Sequence, residues 1–390
     1  LEELAEAFNS WYRKPKNDSR ANPPGYRKRK YDDDHGNRVH EEHPRSTVTW
    51  KQKGIRHDTK HNRVRLSKGP NHKDHPRDWD YILVEYETRP EVTGENLQQV
   101  RAVYDNSKGR WEIHLVCKHE VETPDAPGSG TAGIDLGVCN FAGVSYSTED
   151  AELYPGNRLK QDGYYFPKEI AQYDDSGGQE VTRLHHKWSE RRTHFFHSLA
   201  KHIVEQCVER GVGRINVGKL AGIREDENGN SKNWGKHGNL DLHGWAFDRF
   251  TKVLTYKAKV EGVDVVEVPE WNTSQTCCVC GRDREDESQR VERGLYVCKP
   301  CDTAFNADVN GAENIRLNIN TGSNSESSAS LDADTSTGWL AQPAVSLHEL
   351  SSGFQPQEQV VDCKLSDPTA RDSRVDETEG LVRTPEISDF

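Results

Sequence analysis

Methionine is absent from all 390 residues, position 1 included, and the expectation is that the chain continues N-terminally in a longer protein. No apolar run approaches the 18 or so residues that a membrane-spanning helix needs, so no membrane partner is expected. No signal-peptide pattern opens the chain. Basic charge is in deficit: 52 Lys and Arg against 64 Asp and Glu leave a net charge of -12. An acidic surface usually argues against a nucleic-acid partner. Here the acid is unevenly spread, and abundant Asp and Glu also fit a protein adapted to high salt. Cysteine is too scarce and too clustered for a disulfide framework. Nine residues, four of them in one tight pattern, fit a reducing, cytoplasmic setting better. The length allows two or three domains.

That cysteine pattern organises the chain. Cys277 and Cys280 make one Cys-x2-Cys knuckle, and Cys298 and Cys301 make a second beyond residues 281–297. The spacing matches a four-cysteine zinc ribbon. Zinc takes four soft ligands at tetrahedral corners about 2.3 Å away, and two knuckles supply two thiolates each. Gly281 suits the turn after the first pair. Cys278 is a spare thiol, because using it would leave a one-residue gap, and Cys277 is the expected ligand. Four unrelated buried thiols would not show this spacing. Asp308 follows, in Asn306-Ala-Asp-Val-Asn-Gly-Ala-Glu-Asn-Ile315. An Asp at a helix start is ordinarily a cap or a dipole partner. Directly behind a metal ribbon, a metal-site role is the stronger reading.

The first 75 residues are polar and basic. Leu1–Tyr12 has helical apolar spacing. Candidate nucleic-acid contacts are Arg27, Lys28, Arg29, Lys30, Lys51, Lys53, Arg56, Arg63, Arg65 and Lys68, with Trp11, Tyr12, Tyr26, Tyr31 and Trp50 among them. Basic groups neutralise phosphates and aromatic faces stack on unpaired bases. For any single residue a solvated surface is the simpler reading; the segment as a whole favours nucleic acid. Strands are expected at 46–50, 63–66, 81–86, 98–104 and 111–116, with a turn at Ser107-Lys-Gly109. They suggest a small β-rich domain, a barrel or half-barrel, ending in a linker over 123–130.

At Thr131-Ala-Gly-Ile-Asp-Leu-Gly137 an apolar strand carries Asp135 inward. A carboxylate there costs several kcal/mol unless a metal or partner satisfies it. Strands over 140–146 and 151–154 follow. A long helix spans about 180–210, with Leu184, Trp188, Phe195, Leu199, Ile203 and Cys207 on one face. Its histidines (185, 186, 194, 197 and 202) read as surface or nucleic-acid-facing groups. A strand at 214–220, a helix at about 244–261 and a strand at 264–268 lead into the ribbon. This order fits an α/β, ribonuclease-H-like fold. Such nucleases hold two Mg²⁺ or Mn²⁺ ions about 3.5–4 Å apart between carboxylates from distant parts of the chain. Asp135 and Asp308 fit two of those places.

Gly133-Ile-Asp-Leu-Gly137, Tyr256-Lys-Ala258, Thr273-Ser274 before the first knuckle, Asp308-Val-Asn310 and Asn314-Ile315 resemble the TnpB (OrfB-type) insertion-sequence proteins over roughly 20–315. These are relatives of type V CRISPR nucleases and are often described as transposases. The resemblance implies a RuvC-type nuclease core interrupted by a zinc ribbon, behind a wedge-like β domain with a helical insertion. It implies a guide RNA from the transposon end, a target DNA, structural Zn²⁺ and catalytic Mg²⁺ or Mn²⁺. Asp135 and Asp308 carry over as the first and third RuvC acids. The implied organisation is a nucleic-acid-binding domain over 1–126, the nuclease core over 131–272, the ribbon over 273–305 and the last RuvC helix over 306–320. A mostly disordered acidic tail over 321–390 completes it, its low apolar content being unable to offset ordering entropy. Within the tail, 339–347 could dock as a strand. The second RuvC acid does not carry over: the family's Glu-Asp-Leu is Gly218-Lys219-Leu220 here. A Lys219 ammonium about 5 Å from a divalent ion would cost several kcal/mol at an effective dielectric of ~20. The expectation is either weakened cutting, rescued by Lys219→Asp, or a Lys219 that points away with Glu225 or Asp226 as the substitute acid.

Overall fold

The computed structural model describes residues 2–13, 23, 30–32, 38–40, 47–68, 81–87, 96–105, 107–137, 139–174, 178–219, 247–270, 273–282, 288–292, 294–317 and 338–357. Helix α1 (Glu2–Tyr12) and a two-stranded ladder, β1 (Lys30–Asp32) and β2 (Arg38–His40), come first. Two three-stranded sheets follow. One joins β3 (Val48–Lys51), β7 (Leu97–Asp105) and β8 (Arg110–Cys117); the other joins β4 (Ile55–Asp58), β5 (Arg63–Ser67) and β6 (Tyr81–Glu85). Strict alternation in β5 turns Val64 and Leu66 inward, onto Val100, and Arg63 and Arg65 outward. Among the described residues this unit is two separate small sheets rather than a closed barrel.

The main sheet has seven strands. Its members are β9 (Gly130–Leu136), β10 (Asn140–Tyr146), β11 (Asp150–Pro155), β12 (Val212–Lys219), β13 (Asp264–Pro269), β17 (Ala344–Glu349) and β18 (Gly353–Pro356). Their order is β13-β12-β9-β10-β11-β17-β18. Strands β9, β12 and β13 run parallel; β10 is antiparallel to β9 and β11. Helices α2 (Asn157–Ile170), α3 (Gln179–Glu209) and α4 (Phe247–Val260) lie between the strands in sequence.

Period-2 alternation divides the work of each central strand. Ala132, Ile134 and Leu136 of β9 and Ile215 and Val217 of β12 enter a core shared with α3 and α4. Phe141 sits at its centre, with ring centroids 5.2–5.4 Å from Phe195, Phe196, Phe247 and Phe250. Aromatic pairs of this kind add about 0.5–1.5 kcal/mol each beyond their buried area. At its N-terminal end α3 loosens: Leu184 and Trp188 are only half-buried, and Trp188 stacks on Phe166 of α2. His202 is half-buried, with its ring against Tyr154 and Phe354.

The intervening residues of the same strands face the opposite side, under α5 (Ala307–Leu317). Between β13 and α5 lies the cysteine-rich ribbon, with β14 (Ser288–Glu292), β15 (Leu295–Cys298) and β16 (Thr303–Asn306). Within the acidic tail, the docking stretch expected at 339–347 extends over 338–357. There α6 (Gly338–Ala341) and β17 follow in place of a single strand, and β17 pairs in parallel with β11. Leu340 and Phe354 are buried, so this stretch supplies the apolar contacts that its acidic surroundings lack. Residues 321–337 and 358–390 lie outside the described residues, as do Glu225 and Asp226.

Candidate metal centres

Asp135 is the next-to-last residue of β9, and the ladder registers place a glycine on each side of it. Gly143 of β10 is its direct partner. On β12, Val217 pairs with Ile134, so the next step sets Gly218 beside Asp135. A third glycine, Gly311 of α5, closes the top: a Cβ there would stand 2.6 Å from the Asp135 Oδ2 atom. The helix backbone can approach the carboxylate only because that Cβ is missing.

An acid enters over each flanking glycine. Asp308 passes over Gly143, where a Cβ would lie 3.2 Å from the Asp308 carbonyl oxygen and 3.5 Å from its Cβ. Asp308 is not the helix cap. That role falls to Asn306, whose Oδ1 accepts from the backbone N–H groups of Asp308 and Val309 at 3.0 and 3.2 Å. The Asp308 side chain instead accepts a 2.8 Å hydrogen bond from Asn140 Nδ2. On the other side Glu270, one residue past β13, reaches over Gly218, where a Cβ would stand 2.5 Å from its Oε1 atom. That oxygen is buried and has no hydrogen-bond partner among the described residues. Burial pushes the Glu270 carboxyl up from its ordinary value, and its contact with Asp135 pulls it partly back. Two carboxyls at hydrogen-bonding distance need a proton or a cation between them. The donors are hard oxygens, the orphaned atom is an anion's, and three glycines leave room around them. This set fits a divalent cation such as Mg²⁺ or Mn²⁺.

Lys219 does not enter this space. It follows Gly218 by one residue, so it faces the other side of the sheet. Its side chain is 62 % exposed and lies 3.9 Å from Glu267. Of the two placements that the sequence leaves open for Lys219, beside the ions or pointing away, the structure has the second. Sequence reasoning missed Glu270 because Pro269 reads as the end of the strand. The available signal was its spacing: Val268 pairs with Gly218, and a residue two further on shares that face.

The second centre is more compact. One ligand atom each from Cys277, Cys280, Cys298 and Cys301 lies within 4.8 Å of all the others, and no other such group of three or more occurs among the described residues. The Cys277–Cys301 and Cys280–Cys298 sulfurs are 3.9 and 3.6 Å apart. A tetrahedron with 2.3 Å metal–sulfur bonds has edges of ~3.8 Å, so this cluster could hold a metal ion. Gly281, at φ +68°, turns the first knuckle and donates its N–H to the Cys277 carbonyl at 2.8 Å. Asp302 holds the corresponding left-handed position, φ +52°, after the second. Burial pushes the Cys277 thiol up to about 12, a cost that a bound cation would offset. Cys278 is buried outside the cluster, its backbone N–H donated to Asn310 Oδ1 at 3.0 Å.

Asn310 and Asn314, four residues apart on α5, join the two centres. Asn310 Nδ2 donates to the Thr276 carbonyl at 2.9 Å; Asn314 Nδ2 donates to the Thr273 and Thr276 carbonyls at 2.7 Å each. Both side chains are fully buried. The helix that bears Asp308 is thus tied to the strand of chain entering the first knuckle.

The expected nucleic-acid contacts divide. Arg27, Lys28 and Arg29 lie outside the described residues, and Lys30 opens β1. Arg56 and Arg65 are paired in register on the exposed face of β4 and β5, with Arg63 beside them. Arg65 stacks its guanidinium on Tyr81 at 4.9 Å, Arg63 pairs with Glu85 at 3.1 Å, and Lys51 pairs with Glu6. Lys53 is exposed and Lys68 half-buried. Trp50 is half-buried against the Val64, Leu66 and Val100 core, and its Nε1–H donates to the Ser67 carbonyl at 2.8 Å.

The fold and its centres define a class: an α/β sheet protein with an acidic cradle at the carboxyl ends of parallel strands and a four-cysteine cluster against its last core helix. Residues 114–224 match the OrfB_IS605 family, described as "Probable transposase", and residues 247–315 match the Cas12f1-like TNB domain. The chain is 26 % identical over 250 residues to the TnpB-like protein ORF457 of Acidianus two-tailed virus, covering 56 % of this chain and 52 % of that one. It is 24 % identical over 231 residues to the CRISPR-associated endodeoxyribonuclease Cas12f1 of Sulfoacidibacillus thermotolerans, covering 55 % and 52 %. InsQ of Escherichia coli (strain K12), whose name proposes an RNA-guided DNA endonuclease, is 27 % identical over 239 residues, covering 56 % and 58 %. The chain spans about half the length of these curated relatives. No helix among the described residues is long and apolar enough to cross a membrane.

Proposed function

We propose that this chain is a transposon-encoded, RNA-guided DNA endonuclease of the TnpB type, with a RuvC-like core that hydrolyses phosphodiesters of a target DNA. The observation that carries the reading is the convergence of Asp135 and Asp308 over Gly143, on one face and at one end of the central strands. Ligands of parallel α/β sheets gather at the carboxyl ends of the strands. Asp135 and Asp308 would hold Mg²⁺ or Mn²⁺. When bound, such ions supply charge neutralisation at the scissile phosphate and lower the pKa of the attacking water.

The chain's own residues prepare that site. Asn140 orients the Asp308 carboxylate through its hydrogen bond. Asn306 caps α5, so that Asp308 is released from capping and faces the cradle. The cysteine cluster would bind Zn²⁺ as a structural ion, and Asn310 and Asn314 pass its rigidity to α5. The exposed Arg56 and Arg65 of the N-terminal unit supply cationic groups for guide RNA or DNA backbone. The matches to TnpB-like and Cas12f relatives support the same reading; the guide RNA would come from the transposon end and the setting would be cytoplasmic.

A second reading, a scaffold that binds guided DNA without cutting it, is favoured by the lack of an acid at Gly218 and Lys219 on β12. The test is cleavage of target plasmid by the full chain purified with its own transposon-end RNA, in Mg²⁺ or Mn²⁺. Cutting that falls below detection in Asp135→Ala establishes the nuclease. Guided binding without any cutting favours the second reading, and neither binding nor cutting overturns the first.

A further inference from the structure

We infer that α2 carries a track for single-stranded DNA: Lys160 and Lys168 hold phosphates of the unpaired strand at the acidic centre, and Tyr164 between them stacks on a base. The inference rests on the nuclease reading above and gives its substrate strand a path.

The topology sets α2 beside the acidic centre. Strands β9 and β11 each run antiparallel to β10, so both point the same way, and β11 ends level with the start of β10. Pro155, the last residue of β11, pairs with Asn140, whose side chain holds Asp308. Gly156 then donates its N–H to the Cys139 carbonyl at 3.1 Å, and α2 begins at the next residue. From there α2 runs outward, past the sheet. Phe195 and Phe196 of α3 lie against Phe141, at the start of β10. Asp162 of α2 meets Arg191, through two hydrogen bonds of 2.7 Å, and Phe166 stacks on Trp188 with ring centroids 5.9 Å apart. Each step forward along α2 is a step backward along α3. The pair therefore projects beyond the carboxyl ends of the strands, as a wall next to the centre.

One face of α2 is taken up by packing, with Leu159, Asp162 and Phe166 buried. Another carries Lys160, Tyr164 and Lys168 at i, i+4 and i+8, a single stripe about 12 Å long. That length matches about three stacked nucleotides. Tyr164 is 69 % exposed and has no ring contact or hydrogen bond among the described residues. Neither lysine has an acid three or four residues away on the helix. On α3, by contrast, Arg183 pairs with Glu180 at 3.0 Å and Lys201 with Glu205 at 3.5 Å. The first turn of α2, nearest the centre, holds Arg158 and Lys160 but no acid and no side-chain cap. Arg158 Nε is buried without a hydrogen-bond partner among the described residues. Cations at the positive end of a helix dipole are unfavourable, and an anion there relieves both. Cations along a backbone with an exposed aromatic between them are the means by which proteins hold unpaired strands without reading sequence. A duplex stacks its bases inside and offers no base face to Tyr164, so the fit is to a single strand.

The test uses the full chain bound to its transposon-end RNA and a short single-stranded DNA carrying 2-aminopurine, whose fluorescence falls when the base stacks on a ring. Affinity is measured over a salt series, and target cleavage under single-turnover conditions. The variants are Tyr164→Ala, Tyr164→Phe, Lys160→Ala combined with Lys168→Ala, and Asp135→Ala. Tyr164→Ala is expected to weaken binding on the order of tenfold, to reduce the quenching and to slow cutting. Tyr164→Phe keeps the ring and should match the parent. The double lysine variant should flatten the slope of log affinity against log salt by about 1.4, two phosphates at ~0.7 each. Melting temperature checks that each variant folds, and a merely structural role would move neither the quenching nor the salt slope. If Tyr164→Ala and the double lysine variant bind, quench and cut like the parent while Asp135→Ala binds without cutting, this inference falls and the nuclease reading stands. If Asp135→Ala cuts like the parent, the nuclease reading falls, while loss of quenching in Tyr164→Ala still upholds the track.

Discussion

The cysteine cluster and the acidic cradle sit at opposite ends of the same connection, yet they are built on different principles. The cluster is local: two knuckles close on themselves, and their four sulfurs fall at tetrahedral spacing. The cradle is distributed: β9, β13 and α5 each lend one acid, and three glycines open the space between them. A local centre depends on its ligands. A distributed one depends equally on what its neighbours lack, and so can be broken by adding an atom as readily as by removing one.

The largest effect that separates the two should come from stripping the metal of the cysteine cluster, by chelation or by Cys298→Ser. Structural zinc contributes folding free energy on the order of 10 kcal/mol, so the ribbon should unfold. Because Asn310 and Asn314 bind α5 to the ribbon's entry, Mn²⁺ affinity at the cradle should fall with it. The reverse should not hold: Asp135→Ala should leave the zinc content, measured by emission spectrometry, unchanged. Independent losses in both directions would break the comparison. Next comes Gly311→Ala, which adds one methyl 2.6 Å from Asp135 Oδ2. The expected cost is about 1–3 kcal/mol in a denaturant titration, with loss of cleavage though no ligand has changed. Asn314→Ala removes the 2.7 Å hydrogen bonds to Thr273 and Thr276 and should cost about 1–3 kcal/mol. The smallest effect belongs to Lys219→Asp. With its side chain exposed on the far face, the change should stay within about 0.5 kcal/mol and give no gain in cutting.

What could be read from the sequence follows the same division. The four cysteines announce themselves through spacing, because a knuckle is a short-range object. Asp135 was legible as an acid in an apolar strand, and Asp308 through its place behind the ribbon. Glu270 was not, because nothing local distinguishes it from an exposed acid after a strand. Its meaning depends on the β12–β13 register, which no single strand encodes. For the same reason Gly218 looked like a loss and Lys219 like an intruder. One residue of parity separates the cradle from solvent, and parity is a property of the assembled sheet. The order of strands over 131–268 was readable from alternation, and β17 in part from the apolar stretch 339–347, whereas α2 and β18 were not. Their meaning depends on distant partners, β11 for β17 and α3 for α2 and β18.

Those returning strands have a consequence for how the chain is made. Every candidate ligand has been synthesised by Leu317, but β11 still lacks its outer neighbour. Only when residues 344–349 emerge does β17 cover that edge, and only with Phe354 do Tyr154 and Phe195 gain the ring that both of them contact. Until then the nascent protein carries a complete set of metal-binding side chains beside an open strand, the surface through which sheets join one another across molecules. The segment over 338–357 thus guards solubility, and a stop codon after 317 would spare the candidate ligands while leaving the β11 edge open to aggregation.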